Sequence, residues 1–389
     1  MTRVTLPSFL MEHLLTICGT DGLCCYAATH GRLDVLQWAR QQGCPWNEST
    51  CARAAGGGHL EVLKWARAQG CPWNTLACDQ AAMNGHLEVL QWLRQHGCPW
   101  DESLCAIAAR HGQMEVLQWA HAQGCPWDEL VCVSAATSGH LEILQWAREH
   151  GCPWNSMVCD EAAYKGHLKI LQWARSQDCP WTTSTCSYSA LGGHFEVLQW
   201  ARANGCPWNE YTCSSAARCG HLEILQWARR NDCPWDSYTC TLAARGGHLQ
   251  VLQWARAQGC PWDNGAPACA ALEGHWHVLE WILQHQGTLD FSHCLVQAAS
   301  QQHWHVVHFL LLYASRHNVY IDTYTFGLVC MDLQPDLGRY YTLATSLLAL
   351  ARPRRLHTPP FLAPWARDVR TALCDILHTD LASLVALYL

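Results

Sequence analysis

The sequence predicts an all-α fold, a solenoid of stacked helix-turn-helix units with shortened loops and helical caps. The first observation behind this prediction is that tryptophan recurs every 27 residues in two parallel series. One series is Trp38, Trp65, Trp92, Trp119, Trp146, Trp173, Trp200, Trp227, Trp254 and Trp281, and the other is Trp46, Trp73, Trp100, Trp127, Trp154, Trp181, Trp208, Trp235 and Trp262. Such constant spacing is typical of stacked units, because each unit repeats the same packing against its neighbours.

Cysteine has the same period, which is the second observation. Its two series are Cys44, Cys71, Cys98, Cys125, Cys152, Cys179, Cys206, Cys233 and Cys260, and Cys24, Cys51, Cys78, Cys105, Cys132, Cys159, Cys186, Cys213 and Cys240. Equivalent residues of stacked helices lie about 8–10 Å apart, whereas a disulfide needs Cα atoms within about 7 Å. We therefore expect no disulfides within a series, and thiols that serve as small buried apolar groups.

Each unit begins with a residue suited to cap a helix N-terminus. These residues are Asn47, Asn74, Asp101, Asp128, Asn155, Thr182, Asn209, Asp236 and Asp263. In the unit after Asn47, the pattern predicts a helix from about 48 to 56, with Cys51, Ala54 and Ala55 on one face. Gly58 follows at a place where a left-handed turn residue is expected.

A second helix is predicted from about 60 to 69, and the glycine and proline that follow should end it. Leu60, Leu63 and Trp65 are expected among its buried positions. The acidic residue at Glu61 and the basic residue at Arg67 recur in most units, and we expect the two series to pair between neighbouring units.

This unit resembles an ankyrin repeat. Residues 58–71, Gly-His-Leu-Glu-Val-Leu-Lys-Trp-Ala-Arg-Ala-Gln-Gly-Cys, are similar to that family's second helix, with Trp65 where the family usually has leucine. Residues 49–55 stand where the family has its Thr-Pro-Leu-His start. The unit is 27 residues long against the usual 33, so the projecting β-hairpin is expected to be reduced to a turn. The resemblance points to Trp-rich, short-loop arrays of protists, algae and large DNA viruses.

The resemblance covers about residues 20–317. We expect an N-terminal capping helix at 1–19, nine regular repeats at 20–262 and two degenerate repeats at 263–317. Residues 318–389 lose the period, and they are expected to form a C-terminal helical cap or a small appended domain, with helices near 339–351, 364–378 and 379–388.

Composition excludes several classes of function. The net charge is −7 and the basic residues are dispersed, which disfavours a general nucleic-acid binder. No run of apolar residues approaches the length that a membrane span needs, and the N-terminus is a poor signal peptide. The expectations are no nucleic-acid or membrane partner, a monomer, and a location in the cytoplasm or the nucleus.

A histidine series accompanies the cysteines. It comprises His59, His86, His140, His167, His194, His221, His248 and His275. Structural zinc needs four converging ligands, usually with short Cys-x2-Cys spacings, which the repeats lack. Arg32 and Gln113 also replace the histidine in two units. We therefore predict a turn-stabilising or core role for the histidines, no metal or cofactor, and no catalytic residue, because every buried histidine, cysteine or acid belongs to a packing series.

Two positions on the first helix vary most between units. Because packing fixes the core positions, we expect these variable positions to face solvent or a partner. One series is Arg53, Gln80, Ile107, Ser134, Glu161, Tyr188, Ser215 and Leu242, and the other is Gly56, Met83, Arg110, Thr137, Tyr164, Leu191, Arg218 and Arg245. Neutral drift on a solvated face is the alternative explanation. Exposed apolar groups among them favour binding.

The resemblance implies that this first helix lines a concave groove that binds a protein or peptide. The predicted groove residues are Arg53, Gln80, Met83, Ile107, Arg110, Glu161, Tyr164, Tyr188, Leu191, Arg218, Leu242 and Arg245. The expected function is a non-catalytic protein–protein interaction scaffold. Two alternatives stay open: a substrate adaptor of a larger assembly such as a ubiquitin ligase, with residues 318–389 contacting the effector, and a zinc- or redox-responsive cysteine-rich module. Leu6-Pro7 begins like the F-box adaptor motif, although too few residues precede the first repeat for that domain.

Overall fold

The computed structural model describes residues 8–286, 289–317, 319 and 321, and in these residues all regular secondary structure is helical. The helices are α1 Ser8–Thr29, α2 Leu33–Gln41, α3 Glu48–Gly56, α4 Leu60–Ala68, α5 Thr75–Met83, α6 Leu87–Gln95, α7 Ser103–Arg110, α8 Met114–Ala122, α9 Glu129–Ser138, α10 Leu141–Glu149, α11 Met157–Tyr164, α12 Leu168–Ser176, α13 Thr183–Gly192, α14 Phe195–Ala203, α15 Glu210–Arg218, α16 Leu222–Arg230, α17 Ser237–Arg245, α18 Leu249–Ala257, α19 Gly265–Leu272, α20 Trp276–Gln286, α21 Phe291–Ser300 and α22 Trp304–His317. The predicted all-α repeat architecture is thereby confirmed.

The chain forms two compact units. Unit 1 comprises the residues up to 185 together with 196–206, and unit 2 comprises 186–195 together with the residues from 207 onward. In each unit the first helices of successive repeats pack side by side, α3, α5, α7, α9 and α11 in unit 1 and α15, α17, α19 and α21 in unit 2. Each of these first helices also packs against the second helix of its own repeat, so these repeats are helical hairpins.

The helix-capping prediction is confirmed at all nine positions. The side chain of Asn47 accepts a hydrogen bond from the backbone N–H of Ser49 at 3.0 Å, two residues on. The equivalent caps repeat this bond, with Thr182 contributing its hydroxyl oxygen where the others contribute an amide or carboxylate oxygen. The bond satisfies a backbone donor that the first turn leaves unpaired, which explains why α3 begins at the residue after Asn47.

The turn between the two helices depends on Gly58. Its φ is +72°, in the left-handed region, and the backbone N–H of the next residue, His59, donates to the carbonyl oxygen of Ala54 at 2.9 Å. A Cβ added at Gly58 would lie 2.7 Å from Cε1 of His86 in the following repeat. Glycine is therefore required twice here, for the backbone conformation and for the close approach of the histidine ring.

The core differs from the prediction in one respect. Val62, Leu63 and Ala66 are buried on α4, but Leu60 and Trp65 are half-buried, as is every tryptophan of both series. The prediction that Leu60 and Trp65 are buried core positions was therefore wrong. Because Ala54, Ala55 and Ala66 are small, the two helices lie close together. The narrow interior between them has room for aliphatic side chains, and the indoles pack on its outer side.

The chain ends bear on two predictions. Helix α1 is interrupted at Gly19, where φ is +68° and ψ is 170°, and Ile17, which we expected in a capping helix, is 67% exposed. The predicted helices after residue 321 lie outside the described residues, and the domain boundaries stay predictions.

Candidate functional site

We call the series that contain Arg53 and Gly56 the first-helix stripe. In unit 1 these positions lie on helices that pack against one another in order. Arg53 and Arg110 are exposed there, and the remaining predicted residues of this unit are half-buried, namely Gln80, Met83, Ile107, Glu161 and Tyr164. The structure therefore places these predicted residues on consecutive first helices of one layer.

Unit 2 carries the rest of the predicted stripe. Tyr188 is 40% exposed, Arg218 and Arg245 are exposed, and Leu191 and Leu242 are half-buried. Because Tyr164 belongs to unit 1 and Tyr188 to unit 2, the two tyrosines are separate candidates for partner contacts.

One member of the variable series is not available to a partner. Ser134 is only 4% exposed, so variation at this position reflects packing in that repeat. Other stripe residues link neighbouring repeats: the Thr137 hydroxyl donates to Glu161 at 3.4 Å, and Arg245 forms an ion pair of 3.0 Å with Glu273.

Sequence reasoning missed a third position on the same stripe. The second residue after the helix-capping residue is large, exposed and apolar or aromatic in five repeats: Leu76, Leu130, Met157, Tyr211 and Tyr238. It lies four residues before the Arg53-type position, hence on the same helix face. Tyr211 and Tyr238 are each 59% exposed. This position also varies between repeats in the sequence, but only its spacing of four residues from the Arg53-type position places it on the same helix face.

The histidine series has a structural role, as predicted. Nε2 of His59 bonds the carbonyl oxygen of Thr29 at 3.0 Å, and Nε2 of His86 bonds that of Gly56 at 3.1 Å, each joining one repeat to the end of the preceding first helix. Burial lowers the pKa of His248 and His275 in unit 2. Across the part of the chain that the structure describes, no three side chains of the metal-binding types converge on one point.

The second helices carry a feature that the sequence analysis interpreted only as packing. The indole in the loop after one second helix meets, edge to face, the indole on the second helix of the next repeat, and we call each such pair a step. In the pair Trp46 and Trp65, the ring centroids lie 6.0 Å apart. The guanidinium of Arg40 lies 4.1 Å above the Trp46 ring and donates to the carbonyl oxygen of Cys44. We call this repeated arrangement the Trp–Arg ladder.

The ladder recurs with nearly constant geometry. Arg67, Arg94, Arg148, Arg175, Arg229 and Arg256 stack on the tryptophan six residues later at 3.9 to 4.7 Å. The expected pairing of the Glu61 and Arg67 series between repeats is wrong, because Glu61 pairs with Lys64 on its own helix at 3.0 Å and Arg67 is held by Trp73. His121 occupies the arginine position in one repeat and stacks on Trp127 at 4.0 Å.

Surface recesses follow the ladder. Three of them are lined by equivalent positions, with Arg230 in the third recess where the other two have glutamine: Gln37, Arg40, Gln41, Trp46, Trp65 and Gln69; Gln91, Arg94, Gln95, Trp100, Trp119 and Gln123; and Gln226, Arg229, Arg230, Trp235, Trp254 and Gln258. Their volumes are ≈ 540, ≈ 470 and ≈ 340 Å³. The lining residues provide aromatic surface, amides and positive charge, without a carboxylate.

The cysteines form cross-series neighbours instead of disulfides. Cys51 lies beside Cys71, with its Sγ 4.0 Å from the Cys71 carbonyl oxygen, and the Cys71 thiol donates to the carbonyl oxygen of Asn47 at 3.5 Å. The cysteines of both series in the described chain are free thiols. Burial raises the pKa of Cys24 to about 11 and that of Cys294 to about 12, so these thiols are poor nucleophiles at neutral pH.

None of the described helices is long and apolar enough to cross a membrane. Solved structures with some likeness include the human ASB11 ankyrin repeat domain, at 18% identity and a TM-score of 0.35, covering 40% of this chain and 84% of that one. They also include the pentatricopeptide repeat protein PPR10 in complex with an 18-nt psaJ RNA element, at 13% identity and a TM-score of 0.41, covering 100% of this chain and 66% of that one. Likenesses this weak carry no argument about function. No curated protein matches the sequence.

The sequence itself provides the stronger comparison. The family described as ankyrin repeats (many copies) matches residues 78–121 and 132–175, which contain the whole of α6, α7, α10 and α11. The glycine turns, helix caps and inter-repeat histidine bonds continue with the same 27-residue period on both sides of the matched segments. Residues 78–121 and 132–175 are therefore similar to ankyrin repeats, and the helical hairpins on both sides of them follow the same pattern.

Proposed function

We propose that the chain is a non-catalytic scaffold whose first-helix stripe binds a protein or peptide. Ankyrin repeats generally serve as protein–protein interaction modules. The observation that carries the proposal is the set of large exposed residues at the second position after the helix cap, on the same helix face as the predicted stripe. Leu76, Leu130 and Met157 belong to unit 1, and Tyr211 and Tyr238 to unit 2.

The composition of the stripe favours a particular kind of partner. Tyrosine and arginine are the residues most enriched at the energetic centres of interfaces, and in unit 2 Tyr211 and Arg218 share one helix face, as do Tyr238 and Arg245. Exposed arginines favour a partner segment that places carboxylates next to apolar side chains. The expected partner is therefore a peptide or loop with both acidic and apolar residues.

A selection of displayed random peptides on the purified chain tests this proposal. Peptides that bind should lose at least tenfold in affinity, measured by calorimetry, when Tyr211 and Tyr238 are both changed to alanine. Exposed Glu223, on the second helix α16, provides the matched control as Glu223→Ala, which should leave the affinity unchanged. Equal binding by all three proteins, or loss only in the control, would refute the stripe as the binding site.

An adaptor function rests on the same stripe, with residues 318–389 contacting an effector. Removing those residues should then leave peptide affinity unchanged and abolish capture of the effector by the peptide-loaded chain. A zinc- or redox-responsive function receives less support, because the thiols are individually engaged with backbone carbonyl groups. Zinc bound at about one ion per repeat by the purified protein would nevertheless favour it.

A further inference from the structure

We propose that the Trp–Arg ladder is a second binding surface, and that its ligand is an acidic, proline-rich peptide segment in the polyproline II conformation, with a carboxylate at every third residue. This surface lies on the second helices and loops, so the inference is independent of the first-helix stripe.

The charge of the recesses favours an anionic ligand. The three recesses are lined by arginine, glutamine and tryptophan alone, although the protein as a whole carries −7. Guanidinium groups remain charged at any physiological pH. The bond from Arg94 to the carbonyl oxygen of Cys98 involves one of its five N–H groups, and stacking 3.9 Å above Trp100 holds the guanidinium plane in a fixed position. Such a fixed fork suits a carboxylate.

The remaining lining groups suit proline and its backbone. Trp100 and Trp119 meet edge to face at 5.7 Å, so the recess presents aromatic surface of the kind that binds proline-rich segments in other domains. A polyproline II chain has no internal hydrogen bonds. Its carbonyl groups therefore need external donors, and the side-chain amides of Gln91, Gln95 and Gln123 border the same recess.

The rise per repeat is close to that of this conformation. Successive repeats pack through their first helices, for which the usual separation is about 8–10 Å, and one polyproline II turn of three residues advances about 9.3 Å. A carboxylate at every third residue would thus meet one arginine per repeat. Unit 1 holds six consecutive ladder steps, which begin at Trp46, Trp73, Trp100, Trp127, Trp154 and Trp181. The fourth step has His121 where the others have arginine.

Fluorescence anisotropy with synthetic peptides and the full chain tests the inference. The probe is a labelled peptide of four Glu-Pro-Pro triplets. The comparison peptides are four Gln-Pro-Pro triplets and a peptide of the same composition as the probe with its glutamates grouped at one end. A single-stranded oligonucleotide of similar length serves as the alternative polyanion. We expect the probe to bind at least tenfold more tightly than either comparison peptide and than the oligonucleotide.

Three variants locate the binding site. Gln95→Glu/Gln123→Glu changes two exposed amides of one recess to carboxylates of the same shape and should weaken binding of the probe at least threefold. His121→Arg should strengthen it, because it completes the row of arginines. Gln80→Glu/Asn84→Asp adds the same charge to the first helix α5 and to the residue that follows it, and should have no more than a small effect.

Equal binding of the probe and the grouped peptide would overturn the proposed register, and equal binding of the glutamine peptide would overturn the role of charge. Preference for the oligonucleotide, or equal loss with the first-helix variant, would overturn the proposal as a whole. Circular dichroism of each variant, expected to equal that of the parent chain, shows that the fold is intact.

Discussion

Gln113 donates from its side-chain amide to the carbonyl oxygen of Met83 at 3.2 Å, at the position where other repeats use histidine. His86 makes the equivalent bond to Gly56 at 3.1 Å in the preceding repeat. One replacement thus preserves the bond, which indicates that the series is selected for a hydrogen bond between repeats and not for a ring nitrogen that binds a metal.

The first prediction follows from this equivalence. His86→Ala removes the partner of a carbonyl group at the end of α3 and should lower the stability of the chain by about 1 kcal/mol. His86→Gln should restore most of that loss, because glutamine serves at residue 113. Urea denaturation followed by helical circular dichroism measures both. Equal destabilisation by alanine and glutamine would contradict the prediction.

Two glycine turns allow the backbone and the packing contributions to be separated. Gly58 and Gly70 have similar positive φ, +72° and +82°, but a Cβ at Gly58 would lie 2.7 Å from the ring of His86, whereas nothing lies within 4 Å of one at Gly70. Gly70→Ala should therefore cost about 1–2 kcal/mol from the backbone alone. Gly58→Ala should cost clearly more, measured by the same denaturation experiment.

The double variant Gly58→Ala/His86→Ala provides the control. Removing the ring should relieve the clash, so the two substitutions should be non-additive, with the double variant less destabilised than the sum of the single ones. Additive costs would show that the histidine ring does not lie against the glycine.

A third prediction concerns the two repeats that lack the Gly70-type glycine. Asp178 and Asp232 occupy that position with φ of 59° and 61°, a conformation that costs a residue with a Cβ about 1 kcal/mol relative to glycine. Asp178→Gly should therefore raise stability by up to about 1 kcal/mol, with Asp178→Ala as the variant that removes the carboxylate and retains the Cβ. No gain with glycine, or the same gain with alanine, would contradict the backbone explanation.

Much of the fold is predictable from the sequence, because residues at equivalent positions pack in the same way in every repeat. The caps at Asn47 and its equivalents, the turn at Gly58 and the limits of α3 all follow from single-residue preferences. The position of Trp65 does not, because its environment is created by Trp46 and the stacked Arg40 of the preceding repeat, and a period cannot show which face of a helix a large ring covers. The stripe was predicted in part, while the exposed Tyr211 and Tyr238 were missed for lack of a helix-face argument.

The last prediction concerns a buried carboxyl group. Asp79 is 9% exposed, and burial, with a smaller contribution from the charge of Asp101, raises its pKa to about 6, although a hydrogen bond from Ser103 opposes this. The ordinary value is 3.8, so the folded chain binds the proton more tightly than the unfolded chain. The contribution of Asp79 to the free energy of unfolding is therefore fully present below about pH 4, and it is lost as the pH rises through about 6.

Asp79→Asn should therefore stabilise the chain at neutral pH, by an amount on the order of 2–3 kcal/mol for a pKa raised by about two units, and should have a much smaller effect near pH 4. The measurement is the difference in unfolding free energy between variant and parent chain at several pH values, which cancels the acid sensitivity of the other groups. Asp160 stands at the equivalent position three repeats later, and burial raises its pKa too, so Asp160→Asn should change stability with pH in the same direction. A difference that stays constant from pH 4 to 7 would show that folding does not raise the pKa of the Asp79 carboxyl, because stability depends on pH only where the folded and unfolded chains bind protons unequally.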